Sequence, residues 1–320
     1  MPVQTSFRRY NSTPVSSFVL SAYSNLGSLR WLFFCVLLLL YVLILFSNVL
    51  LIVTIALNRS LHEPMYMFLC SLFLNELYGS SALFPFLLVH ILRDVHVVPA
   101  PFCFLQIYVL HGYGTVEFFM LASMSYDRYV AICCPLHYKC HMSWNKMVAL
   151  ILIPWVSAFL LKGIMISLSS SLELCGNVIN KVYCGSHSIV KLACYDTSII
   201  NQYSNGLTFI GIFCPVVIIL YSYFRILRVC RSGSRQMWHK ALHTCSPHLA
   251  SLLNFTVAGV TETIQSRFDM SHLPNMLRIF LSLYFLLCQP MFNPVIYGLA
   301  LNKIRLICKD LLFKHIHKHV

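Results

Sequence analysis

The chain has 320 residues, of which 58% are hydrophobic and only 10% are charged, and its mean hydropathy is +0.73. Soluble domains carry roughly 25% charged residues, so this composition excludes an ordinary soluble domain and predicts a membrane protein. The formal net charge of +13 would suit a nucleic-acid-binding protein. However, no basic run interleaved with aromatics lies outside the apolar segments, which favours contact with lipid headgroups or an acidic protein surface.

Residues 1–30 are polar and are predicted to form an extracellular tail. The apolar run that follows, at 31–57, is longer than the roughly 7–15 residues of a signal-peptide core, so it predicts a retained spanning helix. The tail contains Asn11 in an Asn-Ser-Thr sequon. Asn11 is therefore a predicted glycosylation site if the tail is outside the cell.

Seven segments of about 20 or more residues with few charges succeed one another along the chain. They are 31–57, 65–92, 102–134, 147–168, 199–227, 241–264 and 276–301. This pattern predicts an all-α membrane protein, a seven-transmembrane helix bundle over residues 31–301. The distribution of Lys and Arg between alternate loops predicts an outer N-terminus. Basic and apolar residues alternate in 302–320, which predicts a short amphipathic cytoplasmic helix.

Four cysteines fall on the predicted outer side, where disulfides can form. Cys103 begins the third segment, and Cys175, Cys184 and Cys194 lie in the long connection between the fourth and fifth. Four cysteines allow two disulfides in three pairings, and their spacing alone does not choose among them.

Charged residues occur at the end of the third segment, in Met-Ser-Tyr-Asp-Arg-Tyr. Each costs roughly 2.5 kcal/mol or more at the centre of a spanning helix, so Asp127 and Arg128 should neutralise each other where water or a partner protein reaches them. They form a candidate switch at a membrane face, with a static ion pair as the alternative.

Two carboxylates, Glu76 and Glu117, lie at similar depth in the second and third segments. Two like charges so close cannot both stay ionised without a cation. We therefore expect a shared proton or a bound sodium ion, with Asn48 and Asn293 nearby, or alternatively a purely structural polar contact. No other cofactor is expected.

The ordered set of motifs resembles the odorant receptors within the rhodopsin-like G-protein-coupled class. The resemblance covers about 48–303 and rests on Asn48, the Leu-His-Glu-Pro-Met-Tyr run from Leu61, the Met-Ser-Tyr-Asp-Arg-Tyr run from Met124, the Lys-Ala-Leu-His-Thr-Cys run from Lys240, and Pro290 to Tyr297.

The resemblance implies a receptor at the plasma membrane that binds a small odorant and activates a stimulatory G protein to raise cyclic AMP. It implies two disulfides, Cys103 to Cys184 and Cys175 to Cys194. It further implies a coupling switch in which Arg128, held by Asp127 at rest, is released when helices separate. The residues of this switch would be Asp127, Arg128, Tyr129, Asn293, Pro294 and Tyr297.

The ligand pocket is expected in the outer halves of spans three, five and six. Its candidate residues are His111, Gly114, Thr115, Tyr203, Thr263 and Arg267. Thr263 and Arg267 are four apart and share a helix face. An arginine at the rim suits a carboxylate, and Arg267-Phe268 resembles the branch of the family that binds water-soluble, acid-bearing odorants. Alternatively, Arg267 faces solvent or pairs with Glu262 or Asp269. Lys162, inside the fourth span, has the same two interpretations: it contacts an acidic ligand, or it faces solvent or pairs with an acidic side chain.

Two alternatives belong to other classes, and a third lies within the receptor class. A small-solute transporter would also place polar residues inside helices, but no internal repeat is visible. An enzyme is disfavoured because no Gly-x-Ser-x-Gly or His-Glu-x-x-His motif occurs. A non-olfactory rhodopsin-like receptor stays open, although Leu110, where an acid would be needed, argues against an amine ligand.

Overall fold

The computed structural model describes residues 15–23, 27–231, 235–268 and 273–308. Besides residues 302–308, which are also helical, nine α-helices lie in this part of the chain. They are α1 (Arg30–Leu57), α2 (Pro64–Leu92), α3 (Ala100–Cys133), α4 (Tyr138–His141), α5 (Trp144–Ser170), α6 (Ser186–Val190), α7 (Ser198–Arg231), α8 (Arg235–Arg267) and α9 (Asn275–Ala300). Seven of them are long, and α4 and α6 are short helices in the connections.

The seven long helices coincide with the seven predicted segments, which confirms the predicted helix bundle. Local sequence explains several boundaries: Pro64 occupies the first turn of α2, where its missing N–H costs nothing. The largest difference is in α8, which begins at Arg235 rather than at 241. A helix satisfies its own backbone hydrogen bonds, so polar residues can extend it beyond the apolar segment.

Five of the described helices are long and apolar enough to cross a membrane, namely α1, α2, α5, α7 and the part of α9 from Met276. The other two long helices, α3 and α8, contain several polar and charged residues, such as Glu117 and Asp127 in α3 and Glu262 in α8. The central helix α3 packs against α2, α5, α7 and α8, and its Glu117 and Asp127 are fully buried. These polar groups face protein rather than lipid, which is where ionisable groups are tolerated.

Large apolar side chains are exposed along the outside of the bundle. Examples are Leu39 on α1, Leu160 on α5 and Phe213 on α7, each more than half exposed. Exposed apolar surface on this scale marks a surface that is covered in the native setting. A lipid bilayer is the environment that fits it.

A small sheet covers one end of the bundle. Its strands are β1 (Ser17–Leu20), β2 (Val97–Pro99) and β3 (Val178–Ile179). β1 is central, antiparallel to β2 and parallel to β3. We call this sheet together with the α5–α7 connection, residues 171–197, the lid. Part of the segment predicted as a polar tail is thus folded onto the bundle, with Phe18 and Leu20 buried, whereas Asn11 lies outside the described residues.

Residues 302–308, which follow α9, lie at the opposite end of the bundle. Residues 302–308 are helical, and Ile304 is fully buried among apolar residues. Lys303 Nζ donates to the backbone oxygen of Ser60 (2.6 Å) and to Glu63 Oε1 (3.0 Å). The rest of the predicted amphipathic helix, 309–320, lies outside the described residues.

Candidate functional site

A cavity of about 170 Å³ lies between α3, α5, α7, α8 and α9, directly beneath the lid. Apolar groups such as Leu110, Phe118 and Phe285 line part of its wall. Its polar wall residues include His111, Thr115, Lys162, Ser204, Thr208, Glu262, Thr263, Ser266 and Arg267. The mixture of apolar wall and a few polar groups is typical of small-molecule sites.

Most of the predicted pocket residues lie in this wall: His111, Gly114, Thr115, Thr263 and Arg267. Tyr203 differs. Ser204, its neighbour on α7, belongs to the wall, whereas the half-buried ring of Tyr203 packs against the apolar core. Successive helical residues point about 100° apart, so an error of one position changes which side chain faces the cavity.

The lid contributes a group of wall residues that the sequence did not indicate individually. Tyr183, Cys184, Gly185, Ser186 and His187 all line the cavity. The backbone N–H of Cys184 also donates to Gln106 Oε1 on α3 (2.9 Å). The expected disulfide at Cys184 was the one signal that placed this part of the connection over the bundle.

Both implied disulfides are formed in the structure. Cys103 at the start of α3 is bonded to Cys184, and Cys175 is bonded to Cys194. The first bond ties the lid to α3, and the second closes a loop within the lid. Each such closure restricts the unfolded chain and stabilises the fold by roughly 2–4 kcal/mol.

Arg267 ends α8 at the mouth of the cavity and is exposed. Its guanidinium donates to the side-chain oxygen of Asn205 on α7. Glu262, one of its expected partners, is instead paired with Lys181 of the lid, whose Nζ also donates to Ser266 Oγ (3.0 Å). The other expected partner, Asp269, lies outside the described residues.

His187 occupies the lid part of the wall, outside the membrane-spanning helices. Burial, followed by the positive charges of Lys191, Arg267 and Lys181, lowers its pKa from 6.5 to about 4. The imidazole is therefore neutral at physiological pH, and the charged residues of the cavity wall are Lys162, Glu262 and Arg267.

Deeper in the bundle, Glu76 and Glu117 are fully buried and joined by one amide. Asn293 Nδ2 on α9 donates to Glu76 Oε1 (2.6 Å) and to Glu117 Oε1 (2.8 Å). Asn75 donates to Glu117 Oε2 (3.0 Å), and the Tyr113 hydroxyl donates to Glu76 Oε2 (3.2 Å). The two carboxyl groups thus lie side by side and link α2, α3 and α9.

Asn48 bonds to backbone oxygens and not to these carboxyl groups. Its Nδ2 donates to the backbone oxygens of Ile44 (2.9 Å) and Pro290 (3.0 Å). Pro294 has no N–H with which to bond the carbonyl four residues earlier, that of Pro290. Asn48 therefore satisfies the acceptor that the proline leaves free, and it ties α1 to the interrupted turn of α9.

The chemistry of the carboxyl pair can be compared with the needs of a metal ion. Carboxylate oxygens are hard ligands that suit a small cation. However, among the described residues no group of three or more His, Cys, Asp or Glu side chains could hold a metal. N–H and O–H donors already bond each oxygen of both carboxyl groups. A cation would have to compete with these donors.

At the end opposite the lid, Asp127 is fully buried and forms an ion pair with the side chain of Arg128. Asp127 Oδ1 also accepts a hydrogen bond from the hydroxyl of Tyr138 on α4 (2.7 Å). Tyr129 is half-buried against the apolar core. The hydroxyl of Tyr138 thus helps to hold the ion pair, and the Asp-Arg-Tyr motif did not predict this contact.

Two hydrogen bonds join α8 to α9 between the carboxyl pair and Arg128. The Ser251 hydroxyl donates to Asn293 Oδ1 (2.7 Å), and the Tyr297 hydroxyl lies 3.2 Å from His248 Nδ1. All four side chains are buried. Polar contacts therefore run from the carboxyl pair toward the Asp127 and Arg128 pair through α8 and α9.

A seven-helix membrane bundle with a disulfide-bonded lid, a cavity beneath it and a buried Asp-Arg pair at the other end defines the class of G-protein-coupled receptors. The sequence model of the olfactory receptor family matches residues 34–315. The chain is similar to human olfactory receptor 10A6, with 33% identity over 93% of this chain and 94% of that protein. It is also similar to human olfactory receptor 11A1, with 34% identity over 93% and 94% of the two chains.

The chain therefore belongs to the olfactory receptor family. It is a multi-pass membrane protein and an odorant receptor of the G-protein-coupled class, and it is not an enzyme. The recognition made from the motifs is confirmed, and the transporter alternative has no support from these comparisons.

Proposed function

We propose that this receptor binds a small, carboxylate-bearing odorant in the cavity beneath the lid and activates a stimulatory G protein, which raises cyclic AMP. The observation that carries the ligand proposal is the charge of the cavity wall. Lys162 and Arg267 both line it, whereas Glu262 is already paired with Lys181. A wall with unbalanced positive charge favours an anionic ligand.

We propose that the lid end faces outside the cell at the plasma membrane. The two disulfides of the lid require an oxidising compartment. Basic residues such as Arg59, Lys139, Lys146 and Arg228 lie in or beside connections at the opposite end, as the positive-inside rule expects for the cytoplasmic face. This orientation places the odorant cavity outside and the Asp127 and Arg128 pair inside.

We propose that activation separates α3 from α8 at the inner end. Separation would free Arg128 from Asp127 and expose it to the G protein. It would also change the contacts that Tyr297 makes with His248 and that Asn293 makes with Ser251. Pro294 interrupts the hydrogen bonding of α9 at this level and permits bending there.

We propose that Glu76 and Glu117 hold a shared proton or a sodium ion in the resting receptor. The side-chain amide of Asn293 bridges the two carboxyl groups. Two adjacent buried carboxylates cannot both be charged without compensation. Asn293 would orient both groups in either case. A shift of α9 would then change the geometry of the two carboxyl groups and the surroundings of Arg128 at the same time.

The test is cyclic-AMP production in cells that express the full chain with an olfactory-type stimulatory G protein. The probes are hexanoic acid, 1-hexanol and amino acids, and the variants are Arg128→Ala and Arg267→Ala. We expect a response to the acid that Arg267→Ala weakens and Arg128→Ala abolishes, at unchanged surface expression.

A response to 1-hexanol alone would keep the receptor assignment and refute the acid-bearing ligand. A full response from Arg128→Ala would refute the proposed switch. Absence of any response to the probes at normal surface expression would contradict the proposed pairing of ligand class and coupling.

A further inference from the structure

Lys162 is a buried cation within the odorant cavity. It lies on α5 about two turns before that helix ends at Ser170. Only 6% of the residue is exposed, although an ammonium group is strongly hydrated in water. Because it is enclosed by the bundle, Lys162 is shielded from lipid, and its side chain forms part of the cavity wall.

Within the part of the chain that the structure describes, Lys162 has neither a carboxylate partner nor a hydrogen-bond acceptor. The nearby His111 is itself subject to the Lys162 charge and supplies no compensating negative charge. Other lysines of the receptor differ: Lys181 pairs with Glu262, and Lys303 pairs with Glu63. A buried, unpaired ammonium is costly, and such groups mark functional sites in membrane proteins.

Arg267, the other cation that the sequence indicated, has a different setting. It is exposed at the rim, and its guanidinium is already engaged by Asn205. An ion pair with an exposed arginine is screened by water and gains little. The two cations of the wall therefore have unequal roles, and only Lys162 is both enclosed and free to bind.

We propose that Lys162 is the anchor for the acidic group of the ligand, deep in the cavity, and that Arg267 only contacts or attracts the ligand at the mouth. This inference rests on the proposed function, since it names the residue that selects the ligand class. The ligand is a short-chain monocarboxylate whose tail packs against Leu110, Phe118 and Phe285. A cavity of about 170 Å³ exceeds only slightly the roughly 150 Å³ that holds one benzene molecule, so a six-carbon acid is the size to test.

The experiment compares Lys162→Met and Arg267→Met with Lys191→Met in the full-length receptor. Methionine keeps an unbranched chain and removes the charge. Lys191 is the matched control because it is a lid lysine whose side chain does not line the cavity and whose Nζ is bonded to a backbone oxygen, that of Ser266. Cyclic AMP is measured with hexanoate, methyl hexanoate and 1-hexanol.

Loss of one partner from a buried charge pair lowers affinity by about 30-fold or more. We expect Lys162→Met to raise the half-maximal concentration of hexanoate by at least this factor and to leave 1-hexanol and methyl hexanoate unchanged. Arg267→Met should have a smaller effect, and Lys191→Met none. An unchanged response of Lys162→Met to hexanoate would overturn the inference.

A second measurement is independent of coupling: the melting temperature of the purified receptors with and without hexanoate. Hexanoate should stabilise the wild type but not Lys162→Met, and without ligand Lys162→Met should melt at the same or a higher temperature, because an uncompensated charge has been removed. A ligand-free Lys162→Met that melts lower would show a structural role and refute the inference. Stabilisation by hexanoate without a cyclic-AMP response would support the anchor and refute the proposed coupling. Lack of stabilisation together with a response to 1-hexanol would refute the anchor and keep the odorant receptor.

Discussion

Replacing Asn293 by alanine tests the bridge between the two buried carboxyl groups. The substitution removes three hydrogen bonds, to Glu76 (2.6 Å), to Glu117 (2.8 Å) and from Ser251 (2.7 Å). Interhelical hydrogen bonds in membrane proteins contribute about 0.6 kcal/mol on average and at most about 1.7 kcal/mol each. Three of them, two to acidic groups, therefore give an expected loss of about 2–5 kcal/mol in the free energy of unfolding.

The measurement is the melting temperature of the purified receptor in lipid nanodiscs, where a loss of this size should lower the midpoint by about 4 °C or more. Asn293→Asp has nearly the same shape but lacks the N–H donors and adds a third acidic group. It should destabilise the receptor at least as much as alanine does.

The matched control is Asn201→Ala near the start of α7. The side chain of Asn201 is half-buried and, among the described residues, bonds to Thr197 alone (3.1 Å), so its loss should have little effect. A melting temperature of Asn293→Ala equal to that of the wild type would show that the amide does not hold the two carboxyl groups together.

The other predictions concern three separate places. Tyr138→Phe removes the 2.7 Å bond to Asp127 and should raise basal cyclic AMP several-fold, since a hydrogen bond to a charged group contributes about 1.5–3 kcal/mol; unchanged basal signalling would argue against Tyr138 as a restraint. Gly79→Ala would place a methyl group 2.7 Å from ring atoms of Tyr113 and should cost about 1–3 kcal/mol of stability; a normal melting temperature would contradict this close packing of α2 and α3. For His187, whose folded-state pKa is lowered to about 4, the unfolded chain binds a proton below about pH 6.5 that the folded chain does not. Stability should therefore fall as the pH drops from 6.5 toward 4, and His187→Asn should flatten the decrease in melting temperature; an identical pH profile would refute the assignment.

Several features of this receptor were predictable because they depend on local sequence. Helix positions follow from runs of apolar residues, and the pairing of Asp127 with Arg128 follows from the cost of charges at membrane depth. Side-by-side placement of Glu76 and Glu117 followed from their depth in adjacent helices. These predictions need only the rise per residue of a helix and the cost of a charge in lipid.

Other features depend on contacts between distant residues and had no local signal. The strands β1, β2 and β3 contain between two and four residues, too few for an alternating pattern to be recognised. The pairing of Lys181 with Glu262 joins residues 81 positions apart. Whether Ser204 or Tyr203 faces the cavity depends on the rotation of α7 about its axis, which hydropathy does not determine.

The central place of β1 in the sheet has a consequence for the order of folding. Ser17 to Leu20 is made early in synthesis, yet its partner Val178–Ile179 follows only after four spanning helices. Contacts between residues so far apart form late, because the intervening chain must first be brought together. β1 can pair with β2 once two spanning helices have been made, but the side of β1 that pairs with β3 stays without its partner until two more have followed. Closure of the odorant cavity by the lid is therefore one of the last steps of biogenesis. A receptor whose helices are misassembled at the lid end would be left with an open binding site.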